Sequence, residues 1–342
     1  MDYKYDYFIS YARRDNEDGF VDLFVENLEK NLKLRGLFGK KPSVFFDKET
    51  ICNMDNWERK IREGIRTSRF MVVLLSPNFF QRVNCAREFQ WWLDREIHQY
   101  VFDEGVAAIR IGDVQELYDT RTINIDKEAL KHCPHWASEL YKRQSSGDFD
   151  LTTRDKDKID NALAALYDAS SSRVWRQDTA SNSPHNSLYL HYNENFVGRR
   201  EYLVNLRDNL NSRRRVALHG LGGVGKTELA LAYGRSFAWD YQLGRVYIKC
   251  ENQTSLISAI LGSELDTVIR VNLQGDEEKR LTTLLNALSQ RRNFISAENE
   301  KNARPTNWGT RLLLILDNVS DPNIFKSQDL DLHFPHFLRS HS

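Results

Sequence analysis

The chain has 342 residues, room for about two domains of ordinary size. Its 48 Lys plus Arg balance 48 Asp plus Glu, leaving no formal net charge, which argues against nonspecific nucleic-acid binding as the main role. No apolar run reaches membrane-spanning length, the charged start Met1-Asp2-Tyr3-Lys4 is no secretory signal, and Cys52, Cys85, Cys133 and Cys250 form no Cys-x-x-Cys pair, so a reducing cytoplasm is the expected setting.

The first half alternates strand and helix patterns. Tyr5-Asp6-Tyr7-Phe8-Ile9 reads as a short apolar strand, and Val21, Val25, Leu28 and Leu32 then recur on one helical face up to a capping Gly36. Val44-Phe45-Phe46 is a second strand ending in Asp47. Asp55-Asn56-Trp57-Glu58 resembles a capping box that opens a helix with Trp57, Ile61 and Ile65 stacked at spacing four. Phe70-Met71-Val72-Val73-Leu74-Leu75 shows no polar alternation, as expected of a parallel strand covered on both faces, and Ser76-Pro77-Asn78 ends it. A helix over 84–100 and a strand at Val106-Ala107-Ala108-Ile109-Arg110-Ile111 follow. The pattern predicts a doubly wound α/β domain with its ligands at the carboxyl ends of the strands.

Beyond Gly112 the pattern weakens to a possible short strand near 122–125 and a closing helix over 157–166. His132, Cys133 and His135 cluster, but without a partner cluster at ligand spacing they argue poorly for a metal. The Ser/Asn-rich stretch 170–184 reads as a linker, giving a first domain at 1–169, a linker at 170–195 and a second domain at 196–342.

In the second domain Leu203, Leu206 and Leu210 mark an amphipathic helix. Gly220-Leu221-Gly222-Gly223-Val224-Gly225-Lys226-Thr227 fits the P-loop pattern. Its glycines let backbone N–H groups curl around phosphates, Lys226 reaches the β- and γ-phosphates, and the Thr227 hydroxyl takes a magnesium ion. Residues 215–219 before it read as a buried strand and Glu228 opens the apolar helix after it, the context the mechanism requires. Val246-Tyr247-Ile248 and Leu312-Leu313-Leu314-Ile315-Leu316 are further strands, with a helix over 255–261 between them. Asp317 ends the last strand. An Asp there is commonly a turn or cap residue, but beside a P-loop it is the expected second holder of Mg²⁺.

Two families are resembled. Phe196-Val197-Gly198-Arg199-Arg200-Glu201, the P-loop, and Leu313-Leu314-Ile315-Leu316-Asp317-Asn318-Val319 resemble the Gly-Arg-Glu, Walker A and Walker B elements of the NB-ARC domain of STAND-class NTPases, over 196–322. That resemblance implies a nucleotide site at Gly198, Arg199, Gly220, Gly222, Gly223, Val224, Gly225, Lys226, Thr227 and Glu228, with Mg²⁺ at Thr227 and Asp317. In that family ADP holds a monomer and exchange to ATP drives oligomerisation. Asn318 stands where the family often has a second acid, and the chain ends about 25 residues after Asp317, so an incomplete NB-ARC domain with impaired hydrolysis is expected.

The first domain resembles a TIR (Toll/interleukin-1 receptor) domain over 2–168, on an ordered set of elements. These are Tyr7-Phe8-Ile9-Ser10-Tyr11, Val44-Phe45-Phe46-Asp47, the stretch 57–68, Val73-Leu74-Leu75-Ser76-Pro77-Asn78-Phe79-Phe80 and Cys85-Ala86-Arg87-Glu88. The resemblance implies a flavodoxin-like parallel sheet followed by the partial P-loop α/β domain, and self-association through both domains and with other TIR domains. The pairing occurs in bacterial defence proteins and plant immune receptors.

Many such TIR domains hydrolyse NAD⁺ to nicotinamide and linear or cyclic ADP-ribose with one glutamate, here Glu88 by position. A carboxylate beside the ribose would stabilise an oxocarbenium-like centre. Read by itself, Glu88 is an ordinary exposed helix glutamate, although Cys85, Trp91 and Trp92 lie within one helical turn of it. Arg82-Val83-Asn84 replaces the family's Ser-x-Trp before the cysteine, so substrate stacking falls to Tyr11, Phe46 or Trp57, each of which could equally be core. Ser10 and Asp47 complete the expected NAD⁺ site, and loop 48–54 corresponds to the family's mobile loop, implying a site completed on assembly. The expected function is therefore a nucleotide-switched NAD⁺ hydrolase of a defence response, using ATP or ADP with Mg²⁺. The alternatives are a non-enzymatic TIR scaffold gated by the same domain, or a P-loop NTPase working by turnover. No membrane or specific nucleic-acid partner is expected.

Overall fold

The computed structural model describes residues 3–35, 43–47, 54–98, 102, 105–112, 127–132, 140, 149–181, 193, 196–213, 215–251, 256–265, 270–302, 304–305, 307 and 309–319. They fall into two compact units, Met1–Glu96 with Asp103–Trp175, and Ile97–Phe102 with Arg176–Ser342.

In the first unit β1 (Tyr5–Ser10), β2 (Val44–Phe45), β3 (Ser68–Leu75) and β4 (Val106–Arg110) form a parallel sheet in the order β2-β1-β3-β4. Its helices are α1 (Phe20–Arg35), α2 (Met54–Thr67), α3 (Pro77–Phe80), α4 (Val83–Glu96), α5 (Lys127–His132) and α6 (Lys156–Ser181). This is the flavodoxin-like α/β arrangement expected, with its crossover between β1 and β3.

Side-chain alternation at period two decides what each face meets. Tyr7, Ile9, Val72 and Leu74 pack with α1 through Val21, Phe24 and Leu28 and with α6 through Ile159, Leu163 and Leu166. Phe8, Met71, Val73 and Leu75 pack on the other face with Ile61 and Ile65 of α2 and Ala86, Phe89 and Trp92 of α4. Every residue from Phe70 to Leu75 is buried, so the unbroken apolar run of β3 reflects two covers. Ser76 then caps α3, its Oγ accepting from Phe79 N–H at 3.0 Å, with Pro77 in the first turn.

In the second unit α7 (Arg200–Arg213), α8 (Lys226–Ser236), α9 (Leu256–Leu261) and α10 (Glu277–Lys301) accompany the parallel pair β5 (Gly244–Lys249) and β6 (Leu312–Asp317). Leu203 and Leu206 of α7 pack with Leu229, Tyr233, Leu313 and Ile315. Leu281, Leu284 and Leu288 of α10 cover Val246 and Ile248 together with Ala259 and Ile260.

Several sequence expectations change. The run 215–219 forms no strand: among the described residues it pairs with none, and Arg215, Val216, Ala217 and His219 are exposed. Three apolar residues between arginines and a histidine bury too little to hold a strand without a ladder partner. The polar run at 170 is helical to Ser181 as part of α6, and the first unit takes up its polar side chains: the Tyr7 hydroxyl donates to Ser170 Oγ at 2.8 Å, and Arg173 is buried. α2 begins at Met54, so Asp55 lies inside the helix rather than at its cap. The 25-residue α10 was not expected at all. Gly36, loop residues 48–53, Cys52, the 122–125 strand, Cys133 and His135 lie outside the described residues.

Candidate functional site

Ser10 is the last residue of β1 and, by alternation, shares the face of Phe8, which α4 covers. Glu88 comes from α4 on the same turn as Cys85 and Phe89, both buried. The two meet: Ser10 Oγ donates to Glu88 Oε2 at 2.6 Å. Glu88 is only 8% exposed, and burial, with the negative Asp47 nearby, pushes its carboxyl up to about 8 against the restraining Ser10 hydrogen bond and Arg13 charge.

The rest of the expected NAD⁺ site gathers at this carboxyl end of the sheet, with one exception. The Tyr11 hydroxyl donates to the Asp47 carbonyl at 3.1 Å, and its ring lies 5.1 Å from that of Phe46. Asp47 accepts from Arg13 and Lys60, each at 3.3 Å. The Cys85 thiol donates weakly to the Tyr11 carbonyl at 3.6 Å, and burial keeps it protonated. Trp57 is the exception. It belongs to the core beneath α2 and α4, its ring 6.4 Å from Trp91. Ser10 is also reassigned: it is wholly buried, and its hydroxyl serves Glu88.

Sequence reading missed Asp15. It is buried in the turn Arg13–Asn16, its Oδ2 accepting from Ser76 Oγ at 2.5 Å and its Oδ1 from Asn78 Nδ2 at 2.7 Å. It thereby pins the segment that carries Tyr11 and Arg13 to the end of β3. Partners 61 and 63 residues away leave no local pattern to read.

The P-loop residues form a second, exposed constellation. Gly225 takes a left-handed conformation (φ 83°) at the start of α8, which has no side-chain cap, and Gly223 is also left-handed (φ 76°). A Cβ at Gly222 or Gly223 would meet no atom within 4 Å, so the loop's surface there is open to a ligand. Lys226 Nζ donates to the carbonyls of Gly220 and Leu221 at 3.0 and 2.9 Å. Arg199, itself left-handed (φ 54°) after Gly198 (φ 72°), donates to the Val224 carbonyl at 2.6 Å. Glu228 is half-buried in the first turn of α8. Thr227 Oγ1 donates to the Asp317 carboxylate, 3.1 Å from both oxygens, and the Tyr247 hydroxyl donates to Asp317 Oδ2 at 2.6 Å. A hydroxyl and a carboxylate held together beside an uncapped helix start are the donor set a phosphate-bound magnesium ion takes.

Comparison with known proteins bears on the first unit. A family model described as "TIR domain" matches residues 8–131. "NAD(+) hydrolase TirS" of Staphylococcus aureus (strain MSSA476) is 32% identical over 143 residues, 41% of this chain and 46% of that protein. "Probable 2' cyclic ADP-D-ribose synthase TcpB" of Brucella abortus (strain 2308) is 35% identical over 109 residues, 32% of this chain and 34% of that protein. "2' cyclic ADP-D-ribose synthase AbTIR" of Acinetobacter baumannii (strain 1295743) is 34% identical over 95 residues, 28% and 32% of the two chains. The chain spans less than half the length of each of these relatives.

Proposed function

We propose that the region matched by the TIR-domain model, residues 8–131, cleaves NAD⁺ between ribose and nicotinamide with Glu88 as the catalytic carboxylate. The observation that carries this reading is the buried Glu88 carboxyl, held by Ser10 at the carboxyl end of the sheet, in a domain whose similar proteins are named for NAD⁺ hydrolysis or ADP-ribose cyclisation. With its carboxyl pushed up to about 8, Glu88 is mostly protonated at neutral pH without substrate. A pyridinium cation beside it favours the ionised form, since an opposite charge within a few ångströms lowers a carboxyl's pKa. The glycosidic C–N bond then breaks with its electron pair leaving on the nicotinamide nitrogen. The carboxylate faces the oxocarbenium-like ribose in a site of low dielectric, where one charge acts strongly. Water then adds to the ribosyl carbon and passes one proton to the Glu88 carboxylate, giving ADP-ribose, and an internal hydroxyl losing its proton the same way would give a cyclic product. Tyr11 and Phe46 offer the aromatic surface, and the Asp47 cluster of Arg13 and Lys60 lines the same strand ends.

The second unit, in this reading, binds ATP or ADP as the switch. The P-loop N–H groups and Lys226 would take the phosphates, Gly198 and Arg199 would brace the loop, and Thr227 and Asp317 would hold Mg²⁺, which would screen phosphate charge. Nucleotide exchange would drive self-association of the chain and so bring TIR domains together in a defence response. The test is nicotinamide release from NAD⁺ by the full chain at high protein concentration. Release that is lost in Glu88→Ala supports the reading, and a wild type that releases none at any concentration overturns it.

A further inference from the structure

Asn318 puts an amide where a second acid was expected beside Asp317, but the amide is not idle. Its backbone is left-handed (φ 54°), and this turns Nδ2 onto Glu251 Oε1 at 2.7 Å. Glu251 lies two residues beyond β5. Lys249 is in register with Asp317, and the Cys250 N–H donates to the Asp317 carbonyl at 2.8 Å, so parallel pairing carries Glu251 to the strand end where Asn318 begins. A second carboxylate is therefore present at this strand end, from the neighbouring strand.

We propose that Glu251 is the catalytic base of a nucleoside triphosphatase site, with Asn318 as its positioning residue. The proposal rests on the nucleotide-binding reading of the P-loop and gives that site turnover as well as binding. Glu251 takes a proton from a water whose oxygen forms the new bond to the γ-phosphorus. The bond from that phosphorus to the β–γ bridging oxygen breaks, its electron pair staying on the diphosphate. Nucleoside diphosphate and inorganic phosphate leave, and Glu251 returns the proton to solvent. Asn318 donates to one carboxylate oxygen and leaves the other to accept.

The test measures phosphate release from ATP with Mg²⁺, and equilibrium binding of a fluorescent ADP, on the full chain. Glu251→Gln is expected to lower phosphate release by about a hundredfold or more, the usual worth of a general base, with ADP affinity retained. Adding Asn318→Asp to Glu251→Gln is expected to restore release, since it returns a carboxylate to the same strand end. Release unchanged in Glu251→Gln, or lost without return in the double variant, overturns the proposal. A wild type that binds ADP but releases no phosphate overturns it while sparing the nucleotide-binding reading, and a wild type that binds no ADP overturns both.

Discussion

Glu88 and Asp317 each lie at the carboxyl ends of parallel strands, yet the chain holds them in opposite ways. Glu88 is sealed on the inner face of α4 with Ser10 as its close partner, and burial drives it toward the neutral form. Asp317 is shared by Thr227 and Tyr247 beside a loop whose Leu221 is 81% exposed. The difference follows from the ligand each would serve. A lone carboxylate facing a transient ribosyl cation gains from a low dielectric. A polyphosphate brings its own charge, and an exposed loop of preformed N–H donors answers it without burying an acid. In the first region desolvation carries the strength; in the second, backbone geometry does.

The largest expected break in this contrast is Glu88→Ala. Nicotinamide release should fall by roughly a thousandfold, the scale of losing the main electrostatic group in a closed site, while fluorescent-ADP affinity stays unchanged. The same burial has a stability cost. Between the ordinary carboxyl value of 4.5 and about 8, the unfolded chain has released the Glu88 proton and the folded chain still holds it. Stability therefore falls as pH rises through that window, by roughly 1.4 kcal/mol per unit at the steepest. Glu88→Gln, which has no proton to keep, should match the wild type near pH 4.5 and exceed it increasingly toward pH 8, as read by thermal denaturation across pH. An equal gap at every pH would mean that Glu88 is not desolvated.

Lys226→Ala is the matching probe of the exposed region. Loss of charge-assisted hydrogen bonds to phosphate, about 1.5–3 kcal/mol, should weaken ADP binding by roughly ten- to a hundredfold. Ser10→Ala tests the closed region more finely. The Ser10 hydrogen bond favours ionised Glu88, so its removal raises that carboxyl further and moves the acid limb of the NAD⁺-cleavage profile upward, by about one pH unit. Cleavage at neutral pH should then drop by about tenfold and recover toward higher pH. A uniform loss at all pH values would make Ser10 a packing residue instead.

Much of the first unit was legible because its signals are local and redundant. The unbroken run of β3, the spacing of Val21, Val25 and Leu28 and the Ser76-Pro77 stop each state one element, and their order states the topology. The site was half legible. Glu88 came by position in a resembled motif, but its tie to Ser10 spans 78 residues and only the sheet alternation predicts the shared face. Trp57 was ambiguous because stacking and core packing ask for the same side chain. In the second unit the glycine-lysine pattern named the loop, whereas 215–219 looked like a strand because apolar content was read without asking what would pair with it.

The helix α10 was missed although its start was written in the chain. Asp276 precedes Glu277-Glu278, and Leu281, Leu284 and Leu288 follow at helical spacing. The Asp276 carboxylate accepts from Lys279 N–H at 2.9 Å, and the two glutamates sit at the positive end of the helix. Because α10 covers β5, it supports the strand that carries Tyr247. Asp276→Ala should cost about 1 kcal/mol, small against the preceding effects and confined to one region. Amide exchange in the first turn of α10 should quicken by roughly fivefold, with ADP affinity slightly weakened. Exchange around Ser10 and Glu88, and the rate of NAD⁺ cleavage without added nucleotide, should not move, because the closed site draws its strength from its own core.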